Sequence, residues 1–535
     1  MTRKARVALR TSLVLGPVAL IAACADQMPT AARPTDLNAA LLGGSIAQGP
    51  GRYVVMLKPG ARLSGTVLAA AGARIIARAP AVNAVEVEAT NPAALTGSAV
   101  QSVGRSFEFT LEAQQGDALP AVRAAAVPAG TDASTAAWYA SGVQWDMRAM
   151  GLTSAVWSGS AGGAGARACI IDSGIDAEHQ EIRGKVVRDT SFVSNDTIAS
   201  PAPLDSNGHG THVASTVAGR GLVAGGVAPD ADLMTAKVFA AAGGTPVIRV
   251  VNALVWCADN GAHVINMSLG GIRYFAPGTD PLLSLADVAV YAAAVNYATT
   301  RGAVVVASAG NNNLRLQGGS TAQQITVPAQ VPGVVIVGAT GPLSRVGQWS
   351  VDGATVALPF APPAWDPFDA EQVWPGQGVD GKAFYSNWGS RVTVFAPGGR
   401  GGVPLGYRNR IVADLSGARV QQLGSPHDNI WAACSRYATY NGALNVGGVP
   451  GLAAQCRANP STERYASLAG TSMAAPHVAG LAALLYAELG GSRTAANRAR
   501  VERCITSTTD NIGPSTTFGG GRVNVPRALA CVRGA

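Results

Sequence analysis

The sequence has few charged and few aromatic residues for a chain of 535 residues. Charged side chains make up 13% of the chain and aromatic ones 6%, whereas glycine occurs 65 times. Long solvent-exposed helices are therefore not expected, and glycine-rich loops between buried elements are. No segment repeats at a period of about 20–50 residues, which excludes solenoids and propellers. The length allows one large domain and one small one.

A strong positive surface charge is also missing. The formal net charge is +8, but Arg3, Lys4, Arg6 and Arg10 supply four of these charges, and no acidic residue precedes Asp26. The remaining charge is too small to indicate a nucleic-acid partner.

The basic N-terminus is followed by an apolar run from Thr11 to Ala23, which is typical of a secretory signal. The run is short for a membrane span, and no other stretch predicts one, so we expect an exported protein. Residues 21–24 resemble the lipobox of bacterial lipoproteins, with Cys24 as the lipidated residue. Residues 1–24 are thus predicted to be a signal segment, and the protein to be secreted or anchored to the bacterial cell envelope. Ordinary signal cleavage at nearby small residues is the alternative.

If Cys24 carries lipid, six cysteines remain, and an exported location permits disulfides between them. Proximity along the chain suggests the pairs Cys434–Cys456 and Cys504–Cys531, which leaves Cys169 and Cys257. These last two residues could equally be buried free thiols.

The first part of the chain divides into a small folded segment between two linkers. Residues 25–49 and 113–137 are rich in Ala, Pro and polar residues without periodicity, and the second linker is the natural place for a maturation cleavage. Residues 50–112 predict a small α/β unit with strands at 52–57, 84–89 and 106–111.

From residue 138 to 535, short apolar strands alternate with helices, a pattern typical of a doubly wound α/β domain. Such continuous apolar runs favour parallel strands buried on both faces. The predicted strands are 168–171, 233–238, 264–267, 304–307, 334–337 and 392–395. The predicted helices are 209–219, 247–260, 284–301, 472–489 and 493–506. Residues 341–382 and 399–463 interrupt the alternation and are interpreted as surface insertions bordering a substrate groove.

Ser472 follows a small Gly-Thr pair and begins an apolar helix within the stretch Gly470–Gly480. The first amides of a helix have no partner within the helix, and together with the helix dipole they favour developing negative charge. A hydroxyl held beside such amides suits the nucleophile of acyl transfer. A serine that merely caps a buried helix is the simpler alternative.

An acid and a base precede this serine in the chain. Asp172 follows a predicted strand, and the carboxyl ends of strands in open α/β sheets are where catalytic groups collect. Asp176 is a rival acid beyond the turn. His209 lies between two glycines at the start of an apolar helix. His212, one turn later, would allow a zinc pair, but the His-Glu-x-x-His layout and an acidic third ligand are missing.

The stretch Gly470–Gly480 resembles the nucleophile box of the subtilisin-like serine proteases (subtilases). The order Asp172, His209, Ser472 is also the subtilisin order. The context Gly-x-Ser-x-Ala differs from the Gly-x-Ser-x-Gly of esterases and lipases. The resemblance implies an α/β fold with a doubly wound, mainly parallel sheet, and a serine endopeptidase with these three catalytic residues and no required cofactor.

Further segments extend the resemblance. Asn311 follows a buried strand, as the oxyanion-hole asparagine of subtilases does, and two neighbouring segments would form the walls of the substrate pocket: Ser268, Leu269 and Gly270, and Ala307, Ser308 and Gly310. The start Tyr53–Gly60 is similar to that of the subtilase inhibitor prodomain, which implies a self-inhibited, self-processing precursor. Residues 219–226 contain no acid or amide, so the calcium loop of many bacterial subtilases is missing, and calcium elsewhere is unassigned.

The sequence therefore predicts an exported serine endopeptidase whose partners are protein or peptide substrates and its own prodomain. Two alternatives remain open. The chain could be a catalytically silent surface-binding protein that retains the fold and uses the insertions, or it could be an esterase.

Overall fold

The structure of the protein is a computed structural model, which describes residues 49–109, 111, 136, 139, 144–193, 203–240, 244–274, 281–316, 324–342, 349–351, 354–356, 380–383, 385–399, 411–413, 419–421, 429–438, 457–458 and 464–534. The predicted signal segment with Cys24, nearly all of linker 25–49 and most of linker 113–137 lie outside these ranges. Within the described ranges, no helix is long and apolar enough to cross a membrane.

Residues 51–109, here called the N-terminal unit, form an antiparallel sheet of four strands in the order β2-β3-β1-β4. Its elements are β1 (Gly51–Leu57), α1 (Gly65–Ala70), β2 (Ala73–Ala79), β3 (Ala84–Ala89), β4 (Val100–Arg105) and β5 (Glu108–Phe109). Alternation along β1 gives the sheet two apolar faces. Tyr53 and Val55 belong to the unit's own core, whereas Val54 packs into a core of the second part of the chain.

The second part of the chain is built on an eight-stranded, mainly parallel sheet. The strands after β5 are β6 (Arg167–Asp172), β7 (Val186–Ser191), β8 (Asp232–Lys237), β9 (Thr245–Pro246), β10 (Val264–Met267), β11 (Gly271–Tyr274), β12 (Val304–Ser308), β13 (Gln324–Val327), β14 (Val334–Pro342), β15 (Trp349–Val351), β16 (Ala354–Val356), β17 (Asp380–Lys382), β18 (Val394–Pro397), β19 (Ile411–Ala413), β20 (Arg419–Gln421), β21 (Ile430–Cys434), β22 (Arg457–Ala458) and β23 (Arg464–Leu468). The helices are α2 (Trp145–Ala149), α3 (Ser154–Ser158), α4 (His209–Ala218), α5 (Val247–Asp259), α6 (Pro281–Thr300), α7 (Thr471–Glu488), α8 (Ala495–Ser507), α9 (Ser515–Phe518) and α10 (Val525–Arg533).

The large sheet has the order β17-β14-β12-β10-β6-β8-β7, and β18 pairs in parallel with β14. Its two faces are covered by different helices. Ala168 and Ile170 share a core with α4 and α7, whereas Cys169 and Ile171 share one with α5 and α6. The predicted doubly wound α/β class is confirmed, because helices cover both faces of the sheet and its central strands bury side chains on both faces. Strands β6, β10 and β12 are parallel neighbours, so their carboxyl ends lie at one edge of the sheet.

The two predicted insertions need correction. Strand β14 runs to Pro342 and pairs antiparallel with β17, so both ends of the range 341–382 belong to the main sheet. Within 399–463, β21 is fully buried, pairs with β23 and packs on α4. Residues 430–434 are therefore part of the core and not of a surface insertion. The prediction failed there because five apolar residues are too few to stand out among glycine-rich and proline-rich neighbours.

Two disulfides are present: one was predicted, and for the other the sequence left buried free thiols as the alternative. Cys169–Cys257 joins β6 to α5 with a Cα–Cα distance of 6.0 Å, and Cys504–Cys531 joins α8 to α10 with one of 5.6 Å. Cys434 is also disulfide-bonded, but its predicted partner Cys456 lies outside the described residues, so that pair stays a prediction.

Candidate active site

The acid and the base predicted from the sequence lie in direct contact. Asp172 is the last residue of β6 and His209 is the first residue of α4, and both side chains are buried. Gly208, with a φ of 98°, makes the turn that starts the helix. His209 Nδ1 lies 2.7 Å from Asp172 Oδ1. Since a carboxylate only accepts, Nδ1 carries the proton, and Nε2 of the neutral ring is then a proton acceptor.

Ser472 lies on the first turn of α7, at the carboxyl end of the neighbouring strand β10. Its hydroxyl donates to the carbonyl oxygen of Ser268 at 3.3 Å, and Ser268 Oγ donates to the carbonyl oxygen of Ser472 at 2.8 Å. Pro476 explains why that carbonyl needs an outside donor: proline has no N–H to close the helical hydrogen bond to the residue four positions earlier. Helices α7 and α4 pack together, so the elements that carry Ser472 and His209 are neighbours.

Asn311 is oriented toward the serine by a residue that the sequence analysis missed. Both the N–H and the hydroxyl of Thr471 donate to Asn311 Oδ1, each at 2.8 Å. With its oxygen engaged there, the amide group of Asn311 presents Nδ2 on the other side. A Cβ at position 470 would lie 3.3 Å from that nitrogen and 3.6 Å from the backbone nitrogen of Ser472. Gly470 thus leaves open a space beside two nitrogens that carry N–H groups, with Asn311 Oδ1 slightly farther away at 3.8 Å.

The two predicted pocket segments also lie at this edge of the sheet. Ser268, Leu269, Ala307 and Ser308 are buried, and Gly270 and Gly310 lie in the same segments. Hydrogen bonds connect the two segments to each other and to α7. Ser308 Oγ lies 3.4 Å from the carbonyl oxygen of Leu269, and the N–H of Gly310 donates to Thr471 Oγ1 at 3.1 Å.

The rival acid and the second histidine have other partners. Asp176 Oδ2 accepts from the backbone N–H and from Nε of Arg436, at 3.0 and 2.8 Å. His212 is buried, and its Nε2 lies 3.1 Å from the carbonyl oxygen of Ile430. Burial lowers the pKa of His212 to about 3, so its ring is neutral at ordinary pH. Across the described residues, no three His, Cys, Asp or Glu side chains are grouped so that they could hold a metal ion.

The short loop after α4 is organised around an acid, Glu181, that the sequence analysis did not single out. Glu181 is buried and accepts hydrogen bonds of 2.7–3.1 Å from four consecutive backbone amides, those of Gly221, Leu222, Val223 and Ala224. It also accepts from the hydroxyl of Tyr465 at 2.9 Å. Inward-pointing N–H groups bind an anion, so this loop does not fit a calcium ion, which takes oxygen ligands.

A mainly parallel α/β sheet with a buried carboxylate–imidazole pair and a helix-borne serine at one edge is the architecture of a hydrolytic enzyme. Comparison with known proteins gives the particular family. The subtilase family model matches residues 163–521. Thermitase of Thermoactinomyces vulgaris is 30% identical over 69% of this chain and 89% of its own sequence. Subtilisin DY of Bacillus licheniformis is 31% identical over 68% of this chain and 91% of its own sequence.

Solved structures show the same fold. The epidermin leader peptide processing serine protease of Staphylococcus aureus matches with a TM-score of 0.59 at 19% identity. The match covers 90% of this chain and 98% of that protease's chain. Fervidolysin from Fervidobacterium pennivorans has a TM-score of 0.56 at 20% identity, covering 91% of this chain and 63% of its own. The chain belongs to the subtilase family and is a subtilisin-like serine peptidase, which hydrolyses peptide bonds with a catalytic serine.

Proposed function

We propose that the protein is an exported serine endopeptidase, made as a self-processing precursor, in which Asp172, His209 and Ser472 form the catalytic triad. The observation that carries the assignment is the 2.7 Å contact between buried Asp172 and His209 at the sheet edge where Ser472 also lies.

The chemistry follows from the orientation of these groups. In the reacting complex, the Ser472 hydroxyl donates to His209 Nε2 instead of to Ser268, and Oγ attacks the substrate carbonyl carbon. The proton passes to Nε2 and then to the leaving amine as the peptide bond breaks, which leaves an acyl-enzyme. Water, deprotonated by the same nitrogen, releases the acid. Asp172 holds the ring in the required tautomer and stabilises the imidazolium.

The negative charge of the tetrahedral intermediate needs fixed donors. We assign this role to the backbone N–H of Ser472 and to Asn311 Nδ2, which border the space beside Gly470. Thr471 prevents Asn311 from turning its oxygen toward that space, because this oxygen accepts both of the Thr471 hydrogen bonds. Donors held in this way stabilise the oxyanion without having to reorganise during the reaction.

The contacts of the N-terminal unit support a role as intramolecular inhibitor. Its last strand, β5, pairs antiparallel with β9, and Phe109 is buried against Tyr291 with ring centroids 5.5 Å apart. Strand addition at a sheet edge is also how extended peptides are bound. The unit thus pairs with β9 through its backbone, as an extended protein or peptide substrate could, and we place its release within 113–137.

Export is proposed from the signal-like N-terminus, with Cys24 as the lipid-carrying residue of an envelope-anchored form. The disulfides Cys169–Cys257 and Cys504–Cys531 favour an oxidising compartment.

The function is tested by comparing Ser472→Ala with the wild-type chain and with Ser515→Ala, which changes an exposed serine. Wild type and Ser515→Ala should react with a fluorophosphonate probe, hydrolyse a peptide substrate and shorten to the mature form. Ser472→Ala should remain unlabelled and full-length, with peptide turnover at least about 10⁴-fold lower.

Each failure has a distinct meaning. Unlabelled wild type without turnover would indicate a silent binding protein. Faster turnover of esters with no peptide cleavage would indicate an esterase. Normal shortening of purified Ser472→Ala would exclude self-processing.

A further inference from the structure

Asp205, four residues before His209, is a buried carboxylate with an unusually complete set of donors. Its Oδ1 accepts from Ser173 Oγ at 2.8 Å and from the backbone amides of Asn207 and Gly208 at 3.1 and 2.8 Å. Its Oδ2 accepts from both the N–H and the hydroxyl of Thr211, at 2.9 and 2.7 Å. The side chain is fully buried, and its two oxygens share five hydrogen bonds.

These donors come from the two chain segments that carry the Asp172–His209 pair. Ser173 directly follows Asp172, whereas Gly208 and Thr211 flank His209. The Ser173 hydroxyl connects the segments a second time, because it also accepts from the N–H of Gly210 at 2.9 Å. A residue that only capped α4 would bind amides of that helix alone. Asp205 instead joins the end of β6 to the start of α4.

The two segments have no room to move closer. A Cβ on Gly210 would overlap the carbonyl oxygen of Gly174. A Cβ on Gly174 would lie only 2.8 Å from the carbonyl oxygen of Pro203. Backbone contact on one side and the Asp205 hydrogen bonds on the other therefore fix the separation of the segments. Burial raises the pKa of the Asp205 carboxyl, and the hydrogen bonds from Thr211, Gly208 and Ser173 oppose that rise.

We infer that Asp205 is a positioning residue for the reaction: by binding Ser173 and the first turn of α4 together, it sets the geometry of the Asp172–His209 hydrogen bond. The inference rests on the proposed function. A small error in this geometry weakens the stabilisation of the imidazolium that forms as Ser472 attacks, and errors of about 1 Å can reduce rates by about 10²-fold.

The first test is Asp205→Asn, which keeps the shape but places an NH₂ group against the donors of one carboxylate oxygen. Asp189→Asn is the matched control, because Asp189 lies on β7 away from these segments. In Asp205→Asn, we expect kcat to fall about 10- to 100-fold with KM changed by less than about twofold. The acid limb of kcat/KM should shift to lower pH, because His209 loses part of its interaction with Asp172. The control should match wild type.

A second pair of variants serves if Asp205→Asn does not fold. Thr211→Val removes the hydroxyl, which donates to Asp205 and accepts from the backbone N–H of Asp176 at 3.0 Å, and Thr211→Ser retains it. The valine variant should lose kcat and shift the acid limb of kcat/KM in the same direction as Asp205→Asn, but by less. The serine variant should have the kcat and the pH profile of wild type.

Three results would overturn the inference. These are a folded Asp205→Asn enzyme with wild-type kcat and pH profile, an effect confined to KM, and Thr211→Val and Thr211→Ser enzymes that behave alike. Each leaves wild type active and labelled at Ser472, so the proposed function survives. If wild type itself is inactive and unlabelled, the proposed function fails and this inference fails with it.

Discussion

The two ends of α4 are both held by a buried carboxylate, yet the two carboxylates bind different kinds of partner. At the N-terminal end, Asp205 binds two hydroxyls and three amides from segments on either side of Asp172 and His209. At the C-terminal end, Glu181 binds one hydroxyl and four consecutive amides of a single loop. Both carboxylates accept hydrogen bonds from hydroxyls and backbone amides. Only Asp205 connects segments that carry residues assigned to the reaction.

This difference separates two roles that burial and hydrogen-bond number alone would not distinguish. A carboxylate that gathers one loop stabilises the folded state, because its loss leaves several buried amides unpaired. A carboxylate that joins two catalytic segments should in addition affect the rate. Of the two carboxylates, Asp205 should therefore affect the rate as well as stability, and Glu181 mainly stability.

The largest expected effect is a loss of folding stability at low pH. His212, on the first turns of α4, has a pKa lowered by burial to about 3, against about 6.5 in the unfolded chain. Between these values the unfolded chain binds the proton and the folded protein does not, so stability is lost as pH falls from 6.5 toward 3. The loss from this residue should reach about 4–5 kcal/mol.

The measurement is the free energy of unfolding against pH for the chain with and without His212→Gln, in a Ser472→Ala background that prevents self-digestion. Glutamine can still donate to the carbonyl oxygen of Ile430, and it does not titrate. The variant should lose less stability in acid, which would locate this acid sensitivity at the N-terminal end of α4. Parallel curves would contradict the assignment.

The next effect is at the C-terminal end. Glu181→Gln can satisfy the donors of only one carboxylate oxygen and turns an NH₂ group toward the others, so we expect a loss of about 3 kcal/mol in the free energy of unfolding. Peptide turnover measured well below the unfolding transition should stay within about twofold of wild type.

Glu178→Gln is the control, because Glu178 is half-exposed and lies close to Glu181 in the chain. It should change stability by less than about 0.5 kcal/mol. A large fall in kcat for folded Glu181→Gln would break the comparison, because the C-terminal end would then also act on the chemistry.

The smallest effect is expected for Tyr465→Phe. This change removes the hydrogen bond to Glu181 and the one that the hydroxyl accepts from Gln180 Nε2 at 2.7 Å. It keeps the ring that packs against His179, with centroids 5.1 Å apart. The cost should be about 1–2 kcal/mol in denaturant unfolding, with activity unchanged. If Tyr465→Phe were as harmful as Glu181→Gln, the hydroxyl rather than the four amides would hold the loop.

Much of the fold was predictable because buried parallel strands have a simple pattern. The predicted range of β10, 264–267, is the observed one. The predicted ranges of α4 and α5 each extend one residue beyond the observed C-terminal end. Strand β7 was missed because it is an edge strand with mostly polar residues, Val-Val-Arg-Asp-Thr-Ser, and lacks an apolar run. Strand β21 was missed because its burial depends on α4, which is distant in sequence.

The candidate catalytic residues could be chosen from the sequence because each stands in a short local context: a strand end for Asp172, flanking glycines for His209, a Gly-Thr lead-in for Ser472. The supporting residues could not. Asp205 and Glu181 each bind a donor from a distant part of the chain, Ser173 and Tyr465 respectively. Thr471 belongs to the Gly-Thr lead-in, but its pairing with Asn311 also joins distant segments, and local sequence does not reveal such pairings.

The sequence by itself determined the family and the mainly parallel sheet and predicted the acid, base and nucleophile, because periodicity and short motifs are local properties of a chain. Tertiary structure alone decided which donors each buried carboxylate binds, and that Pro476 leaves the Ser472 carbonyl to Ser268. These outcomes depend on which donors meet which acceptors after folding, and such pairings are set by packing between elements far apart in the sequence.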